Sequence, residues 1–478
     1  MARIIFVQNI WVDLAGPMWI SSYVKSKGHE SRIIIEPDTR KIIDEVKNFS
    51  PDVVGFYCIT GAHRWTLNVS ASIKERFKNI LTVFGGPHPT FYPPVLEKPQ
   101  VDIICRGEGE LATLELLDAI DGRKEIKKIL NLSTKEDGRI IANNTRPLVG
   151  DLNTLPFPDR SHYDRYTYFR KSTMAFFIAS RGCPYKCSFC FNRAASTLQE
   201  GKYVRYRSPE NVVNEIEEYR GTRPLERVHF HDDTFILNTS WLFKFLELYR
   251  KRINLPFHCN LRANLVTEEI VRELKMSSCF AVSFGIEHGN ELIRQNVLKK
   301  NITNHQITNT ADLLRKYGIE FKTFNMVGLP GETLEEAYET VTLNQKIKST
   351  YPWCSIFTPY PGTEAGDFAI RNGFVEDGFN LDSIPEFYLK RSVIKQDNIR
   401  QLVNLQKFFL IAARFPRLFP LIKILIKLPL TFIYDAIFSV IYLYNYVFKL
   451  YRMKTGEMIR FNLQLIKSVK IFKKSGGA

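Results

Sequence analysis

The 478-residue sequence predicts an α/β protein in three parts. A doubly wound parallel sheet comes first, then a partial or full (β/α) barrel, then a basic, apolar helical region. Three observations lead there. Short apolar runs alternate with helix-period segments over 1–150, and again over 172–375. The stretch between, "DLNTLPFPDRSHYDRY", is polar and proline-bearing, and reads as a linker over 151–171. From 376 to 478 the alternation stops, and Leu, Ile, Phe and Tyr mix with Lys and Arg.

In the first part, "RIIFVQ", "ESRIIIE", "DVVGFYC", "ILTVFGG" and "VDIICRGEGE" read as strands. Helical patterns follow them, near 17–27, in "TRKIIDEVKNF", in "NVSASIKERF" and in "LATLELLDAI". Strand and helix in turn give a parallel sheet, whose ligands sit in the loops at the carboxyl ends of its strands. Those loops are "QNIWVDLAGP", "YCITGAHR" with Thr60 and Gly61, and "FGGPHPTFYPP" with Gly85, Gly86 and His88. Two missing side chains at Gly85–Gly86 let a large flat or phosphorylated ligand approach the backbone; a tight turn explains the pair as well. The pattern is not GxGxxG, so a dinucleotide fingerprint is absent.

In the second part the strands are "MAFFIAS", "RVHFHDD", "PFHCNLRA", "AVSFGIEHG", "EFKTFNMVGLP" and "WCSIFTPYP". Helices fall near 209–220, 240–250, 267–275, 290–298, 304–317 and 333–348. Six strand–helix steps suit a barrel, where motifs at strand C-termini share one face. Asp232 and Asp233 end one strand, on a cofactor side or as a helix cap. His229 and His231 alternate on it, as core or facing a substrate. "FTPYPGTEAGD" closes the region; Tyr360 and Thr363 suit substrate contact or a rigid turn.

The net charge is +16, and residues 401–478 hold thirteen Lys or Arg against Asp435 and Glu457. The uncharged run 436–448 is thirteen residues, short for a span of roughly 20. An interfacial amphipathic pair of helices fits, and so does a helical subdomain packed on the barrel. The lysines lie among aliphatic runs rather than in a polar stripe, so no nucleic acid is expected. Eight cysteines are too few and too scattered for a disulfide framework, and the N-terminus shows no signal-peptide pattern. The expectation is a cytoplasmic protein, peripheral to the inner face of the membrane if the tail binds there.

"ASRGCPYKCSFCFN" places Cys183, Cys187 and Cys190 in eight residues after the first barrel strand. Zinc sites pair two close cysteines with a distant second pair, and no fourth ligand is evident. Cys259, Cys279 and Cys354 sit in apolar contexts and read as core thiols. Three soft thiolates suit an iron–sulfur cluster with one iron left open. Gly182 and Pro184 keep the loop tight, and Phe189 and Phe191 are placed to shield it.

The spacing Cys-x3-Cys-x2-Cys resembles the signature of radical S-adenosylmethionine (SAM) enzymes. The resemblance implies a 4Fe–4S cluster on Cys183, Cys187 and Cys190, with SAM at the fourth iron and a 5′-deoxyadenosyl radical released on reduction. It implies an electron donor such as flavodoxin or ferredoxin. "FGIEHG" looks like the family's Gly-Ile-Glu element, with Glu287 toward the SAM ribose and Gly285 and Gly289 giving room. "MVGLPGET", with Gly328 and Pro330, resembles the later element beside adenine and methionine. Asp232 and Arg262 are further cofactor candidates, Arg262 for the SAM carboxylate.

"GGPHPT" followed by "RGEGE", with Gly107 and Glu108, resembles the cobalamin-binding domain of the cobalamin-dependent radical SAM family. The resemblance covers about 1–375. One departure stands out. After the first strand the family's related domains carry Asp-x-His-x-x-Gly, whereas this chain has Asp13 and Gly16 with no histidine between. Cobalt bound here takes no histidine from that motif, and His63 and His88 are not equivalents.

The expected reaction is methylation of an unactivated carbon of a hydrophobic or lipid-like substrate through the radical and methylcobalamin. The alternative is a non-methylating cyclase, oxidase or rearrangement enzyme, acting for example on a tetrapyrrole or lipid. RNA methylthiolation would want further cysteines in 1–150, which has only Cys58 and Cys105. A non-catalytic cofactor-binding protein would not need Glu287.

Overall fold

The structure, a computed structural model, describes residues 1–386, 389–450 and 456. Its described residues form two units, Met1–Lys171 with Thr197–Tyr203, and Ser172–Ser196 with 204–450.

The first unit is one seven-stranded sheet. Its strands are β1 (Arg3–Gln8), β2 (Glu30–Ile35), β3 (Val53–Tyr57), β4 (Leu81–Gly85), β5 (Ile103–Cys105), β6 (Leu132–Glu136) and β7 (Arg139–Ala142), in the order β2-β1-β3-β4-β5-β6-β7. The first five run parallel, and β6 and β7 are antiparallel. Side chains alternate between faces, and both faces are covered. Ile5 and Val7 pack under helices Thr39–Phe49 and His63–Arg76, whereas Ile4 and Phe6 pack under Ala15–Ser26 and Glu110–Asp121. Each such buried side chain contributes about 1.5–3 kcal/mol. Strand order reverses between β1 and β3, so the loops after them part and leave a crevice.

Two features were not expected from the pattern. The β6–β7 hairpin turns on Asp137–Gly138, both at positive φ. Residues 151–171, expected as a linker, group with the first unit as short helical turns. Tyr163 is buried there, its hydroxyl accepting from Leu14 N at 3.2 Å and donating to Gln8 Oε1 at 3.1 Å. Tyr166 accepts from Ile35 N at 2.6 Å. Both tyrosines therefore pin the strand ends of the sheet.

The second unit carries β8 (Met174–Phe177), a small antiparallel pair β9 (Ser180–Arg181) and β10 (Arg205–Tyr206), then β11 (Arg227–Phe230), β12 (Phe257–Leu261), β13 (Cys279–Glu287), β14 (Glu320–Val327) and β15 (Tyr351–Ile356). The six parallel strands lie in chain order from β8 to β15, and β8 does not pair with β15. The barrel is thus partial. Phe177, Val228, Phe230, Phe257, Val282, Phe284 and Phe321 form its core beneath the outer helices. By the period of two, Phe176, His229, His258, Ser283, Gly285 and Lys322 face the other way, into the barrel. The helix expected near 290–298 is present over 291–297, widened to a π-helical turn at Ile293–Val297.

The C-terminal region divides. Helix Ile399–Arg414 is an integral barrel helix: Leu402, Leu405 and Phe409 pack with Val327, Val341 and Cys354, and Gln406 Nε2 donates to Cys354 O at 3.0 Å. Lys407 is buried and pairs with Asp435 at 2.9 Å. Tyr446 donates to Pro352 O at 2.7 Å. No helix among the described residues is long and apolar enough to cross a membrane. Most of 451–478 lies outside the described residues.

Candidate active site

The cysteine loop leaves β8 at the strand C-termini and turns at Gly182, whose φ is +88°. Its middle is pinned at Ser188, which donates N–H to Leu298 O at 2.9 Å and Oγ–H to Val297 O at 2.7 Å, and accepts from Ala365 N. Each thiol has a polar side chain beside it. Cys183 Sγ lies 3.8 Å from Thr234 Oγ1, Asn192 Nδ2 donates to Cys190 Sγ at 3.6 Å, and Arg262 Nη1 donates to Cys187 Sγ at 3.7 Å. Burial raises the thiol of Cys183 and pushes that of Cys190 up to about 11. Deprotonation there calls for a cation to stabilise the thiolate. Among the described residues no three His, Cys, Asp or Glu groups converge as on a single ion. Three thiols on separate irons of one cluster have no need to converge so closely, and this all-sulfur donor set fits such a cluster. Phe189 packs among Leu298, Met326 and Phe357, but Phe191 is exposed, so only one of the two expected shields is a shield.

Asp232 holds this loop from below. It is fully buried and accepts from Ala179 N at 3.2 Å and from Ser180 Oγ. Burial, only partly offset by those bonds, raises its carboxyl to about 6. Asn260 Nδ2 fixes its carbonyl at 3.0 Å. In this structure Asp232 is occupied as a strut on Ala179 and Ser180, the latter three residues before the loop's first cysteine. Arg262 is brought to the cysteines: besides Cys187 it lies over the Tyr185 ring, 3.7 Å from its centroid, and bonds Asn264.

Glu287 ends β13 with φ at +67°, a left-handed backbone that costs a non-glycine residue about 1–2 kcal/mol. The pairing to β14 shifts register there. Strain of this kind collects at functional positions. Lys300 Nζ donates to Glu287 Oε1 at 2.7 Å in a largely buried ion pair. No described residue donates to Oε2, which leaves an acceptor. Gly285 lies directly beneath the pair: a Cβ there would overlap the Glu287 carboxylate and Lys300 Nζ. A Cβ at Gly289 would strike the backbone at Glu339–Thr340.

The loop with Gly328 and Pro330 is tied to the same strand. Buried His288 accepts from Asn290 N at Nδ1, so Nε2 carries its proton and donates to Glu332 Oε1 at 3.0 Å. Glu332 Oε2 accepts from the N–H groups of Gly328 and Leu329. Glu332→Gln is expected to replace an acceptor by a donor facing those N–H groups. The change costs about 1–3 kcal/mol of stability and weakens SAM binding, which thermal denaturation and isothermal titration would measure.

Deeper in the barrel, burial and neighbouring cations hold His229 well below its ordinary value and His258 at about 3, so both are neutral at pH 7, whereas His231 is exposed. Burial lowers Lys322 to about 8, with its ammonium over Phe324, Trp353 and Tyr446. The interior is lined by aromatic rings.

In the first unit, the loops after β3, β4 and β5 carry Thr60 and Gly61, Gly85, Gly86 and His88, and Gly107 and Glu108. Gly86 has φ +94° and rests against Tyr57, so backbone geometry alone demands it. At Gly85 φ is ordinary, and a Cβ would meet nothing nearer than Phe56 O at 4.0 Å. What its missing side chain leaves is open space, which a turn does not require and a flat ligand does. Thr60 Oγ1 holds His88 Nδ1 at 2.9 Å, and the His88 ring stacks on His63 with centroids 4.4 Å apart. Glu108 turns inward: its N–H bonds Gln199 and its Oε2 accepts from Val149 N. A Cβ at Gly107 would overlap Gln199. These two residues fasten segments 145–149 and 197–203. Asp13 pairs with Arg160 at 2.8 Å.

A sheet with a crevice at its strand ends, followed by a partial barrel with a three-thiol loop, defines a cobalamin-dependent radical SAM enzyme, and the chain belongs to that family. A family model described as "B12 binding domain" matches residues 7–117, and one described as "Radical SAM superfamily" matches 177–343. An uncharacterized methyltransferase of Pyrococcus horikoshii is 34% identical over 345 residues, 71% of this chain and 73% of that protein. Anaerobic magnesium-protoporphyrin IX monomethyl ester cyclase of Rubrivivax gelatinosus is 27% identical over 386 residues, 75% and 68% of the two. The structure of the radical SAM methyltransferase TsrM from Kitasatospora setae superposes with a TM-score of 0.64 at 17% identity, covering 78% of this chain and 76% of that one, and shows the shared fold. The cofactors of this chain are a 4Fe–4S cluster, SAM and cobalamin.

Proposed function

We propose that the chain carries out a radical conversion of an apolar small molecule, a ring closure, oxidation or rearrangement begun by removing hydrogen from an unactivated carbon. The observation that carries this reading is that three relatives, from Rubrivivax gelatinosus, Synechocystis and Cereibacter sphaeroides, are named as anaerobic magnesium-protoporphyrin IX monomethyl ester cyclases. They align over 75%, 58% and 76% of this chain. When bound, the cofactors supply the hydrogen-abstracting radical and a cobalt centre. The chain's own residues bind and orient. Cys183, Cys187 and Cys190 hold the cluster, Arg262 and Glu287 grip SAM, and Gly285 leaves room for the Glu287–Lys300 pair that presents the carboxylate. Gly85, Gly86 and Thr60 line the cobalamin site. The neutral histidines and aromatic rings of the barrel suit a tetrapyrrole or lipid-like substrate and exclude water. A flavodoxin or ferredoxin is the natural electron donor.

Methyl transfer is the second reading. The Pyrococcus horikoshii relative and a Streptomyces wedmorensis relative, cytidylyl-2-hydroxyethylphosphonate methyltransferase, favour it. Anaerobic turnover with cobalamin and candidate tetrapyrroles and lipids separates the two. The proposal expects 5′-deoxyadenosine with no matching S-adenosylhomocysteine; equal amounts of both, with a product one methyl heavier, would establish methylation instead.

A further inference from the structure

The helices after Arg414 turn apolar side chains outward. Over 418–428 two stripes run at helical spacing. Phe419, Ile422 and Ile426 are buried in the core, whereas Leu421, Ile424 and Leu428 face solvent. Helix Thr431–Tyr442 repeats this: it buries Tyr434 and exposes Phe432, Ile433 and Val440, with Phe432 at 88% and Val440 at 69%. A helix packed on a barrel needs one apolar stripe, and here the second has no described partner. Patches of this kind mark interaction sites.

Charge chooses the occupant. Arg417 and Lys427 are exposed on the patch, and Lys423 lies beside it over the Tyr338 ring. The one acid within 415–450, Asp435, is already paired with Lys407, and Glu335 on the neighbouring helix lies near Tyr338. A second copy of the chain would set these cations against their own images. Residues 451–478 add seven Lys or Arg against Glu457 alone, so the chain's own tail does not neutralise them. A surface that is apolar in its middle and anionic at its rim answers both needs. We propose that residues 415–444 dock on a bilayer containing anionic phospholipid, lying in its interface. Docking there brings the chain to the phase that holds lipid-partitioned molecules, which goes beyond the reaction proposed above and does not depend on its outcome.

The test is co-sedimentation of the full chain, with cluster reconstituted under anaerobic conditions, on vesicles of phosphatidylcholine with and without phosphatidylglycerol. The unaltered chain is expected to pellet with the anionic vesicles and to be released in part by salt. I424D/F432D is expected to abolish pelleting on both. R417Q/K427Q, which leaves the apolar stripe intact and guards against misfolding of the first variant, is expected to lower partition about tenfold or more on anionic vesicles only. Circular dichroism and iron content should match the unaltered chain. Failure of the unaltered chain to bind anionic vesicles overturns the proposal, as does equal binding by both variants. A dimer that I424D/F432D splits, without vesicle binding, assigns the patch to a second copy and overturns it too.

Discussion

Cys187→Ala is expected to abolish 5′-deoxyadenosine formation and to lower iron content, while cobalamin binding by the first unit persists. Cys187 is the most buried of the three loop thiols and the one that Arg262 reaches. Its loss takes away one of only three thiolates, and the other five cysteines are buried elsewhere in the fold and supply no replacement. Arg262 loses its acceptor at the same time. Cys259→Ala is the control. That thiol is buried in the barrel core, where burial holds it well above its ordinary value, and its removal is expected to cost stability of about 1–3 kcal/mol with the cluster intact. Iron analysis, visible absorbance and product assay on both variants check the contrast.

Gly285→Ala is expected to raise the Kd for SAM by about tenfold to a hundredfold, the worth of one charged hydrogen bond. The added methyl takes the place of the Glu287 carboxylate and the Lys300 ammonium, so the ion pair must open. Cobalamin affinity and iron content are expected to stay unchanged, since Gly285 belongs neither to the cysteine loop nor to the first unit. Glu287→Gln keeps the shape but leaves Lys300 buried without its anion, a cost of about 3–5 kcal/mol. It is therefore expected to lower thermal stability more than Gly285→Ala does. Isothermal titration with SAM and thermal denaturation would separate the two effects.

The parts readable in the sequence are those with local causes. Strand–helix alternation needs only hydrophobic period and turns, and it places both sheets. The cysteine spacing and "FGIEHG" are likewise contiguous. The Asp137–Gly138 hairpin was not read from the sequence, although Asp-Gly is a hairpin signal, because the exposed side chains of its second strand hide the alternation. Other features have no local mark. Lys300 meets Glu287 from thirteen residues away and Glu332 meets His288 from forty-four, so only the folded barrel reveals either pair. Tyr163 looks like a linker residue until its hydroxyl is seen between Leu14 and Gln8. Glu108 and Gly107, read as facing a ligand, are fixed by Gln199, a partner about ninety residues later. Asp232 lies in a motif that suggests a ligand contact, whereas its oxygens are engaged by the backbone and hydroxyl beside the cysteine loop.

The central claim is that the three-thiol loop and Glu287 form one SAM-cleaving site. It is tested most directly by reducing the reconstituted protein with SAM in the absence of oxygen and measuring 5′-deoxyadenosine. The expected result is formation that requires iron and reductant and disappears in Cys187→Ala. Reductant-dependent 5′-deoxyadenosine that persists in Cys187→Ala, or none from the unaltered chain under any substrate, would contradict it.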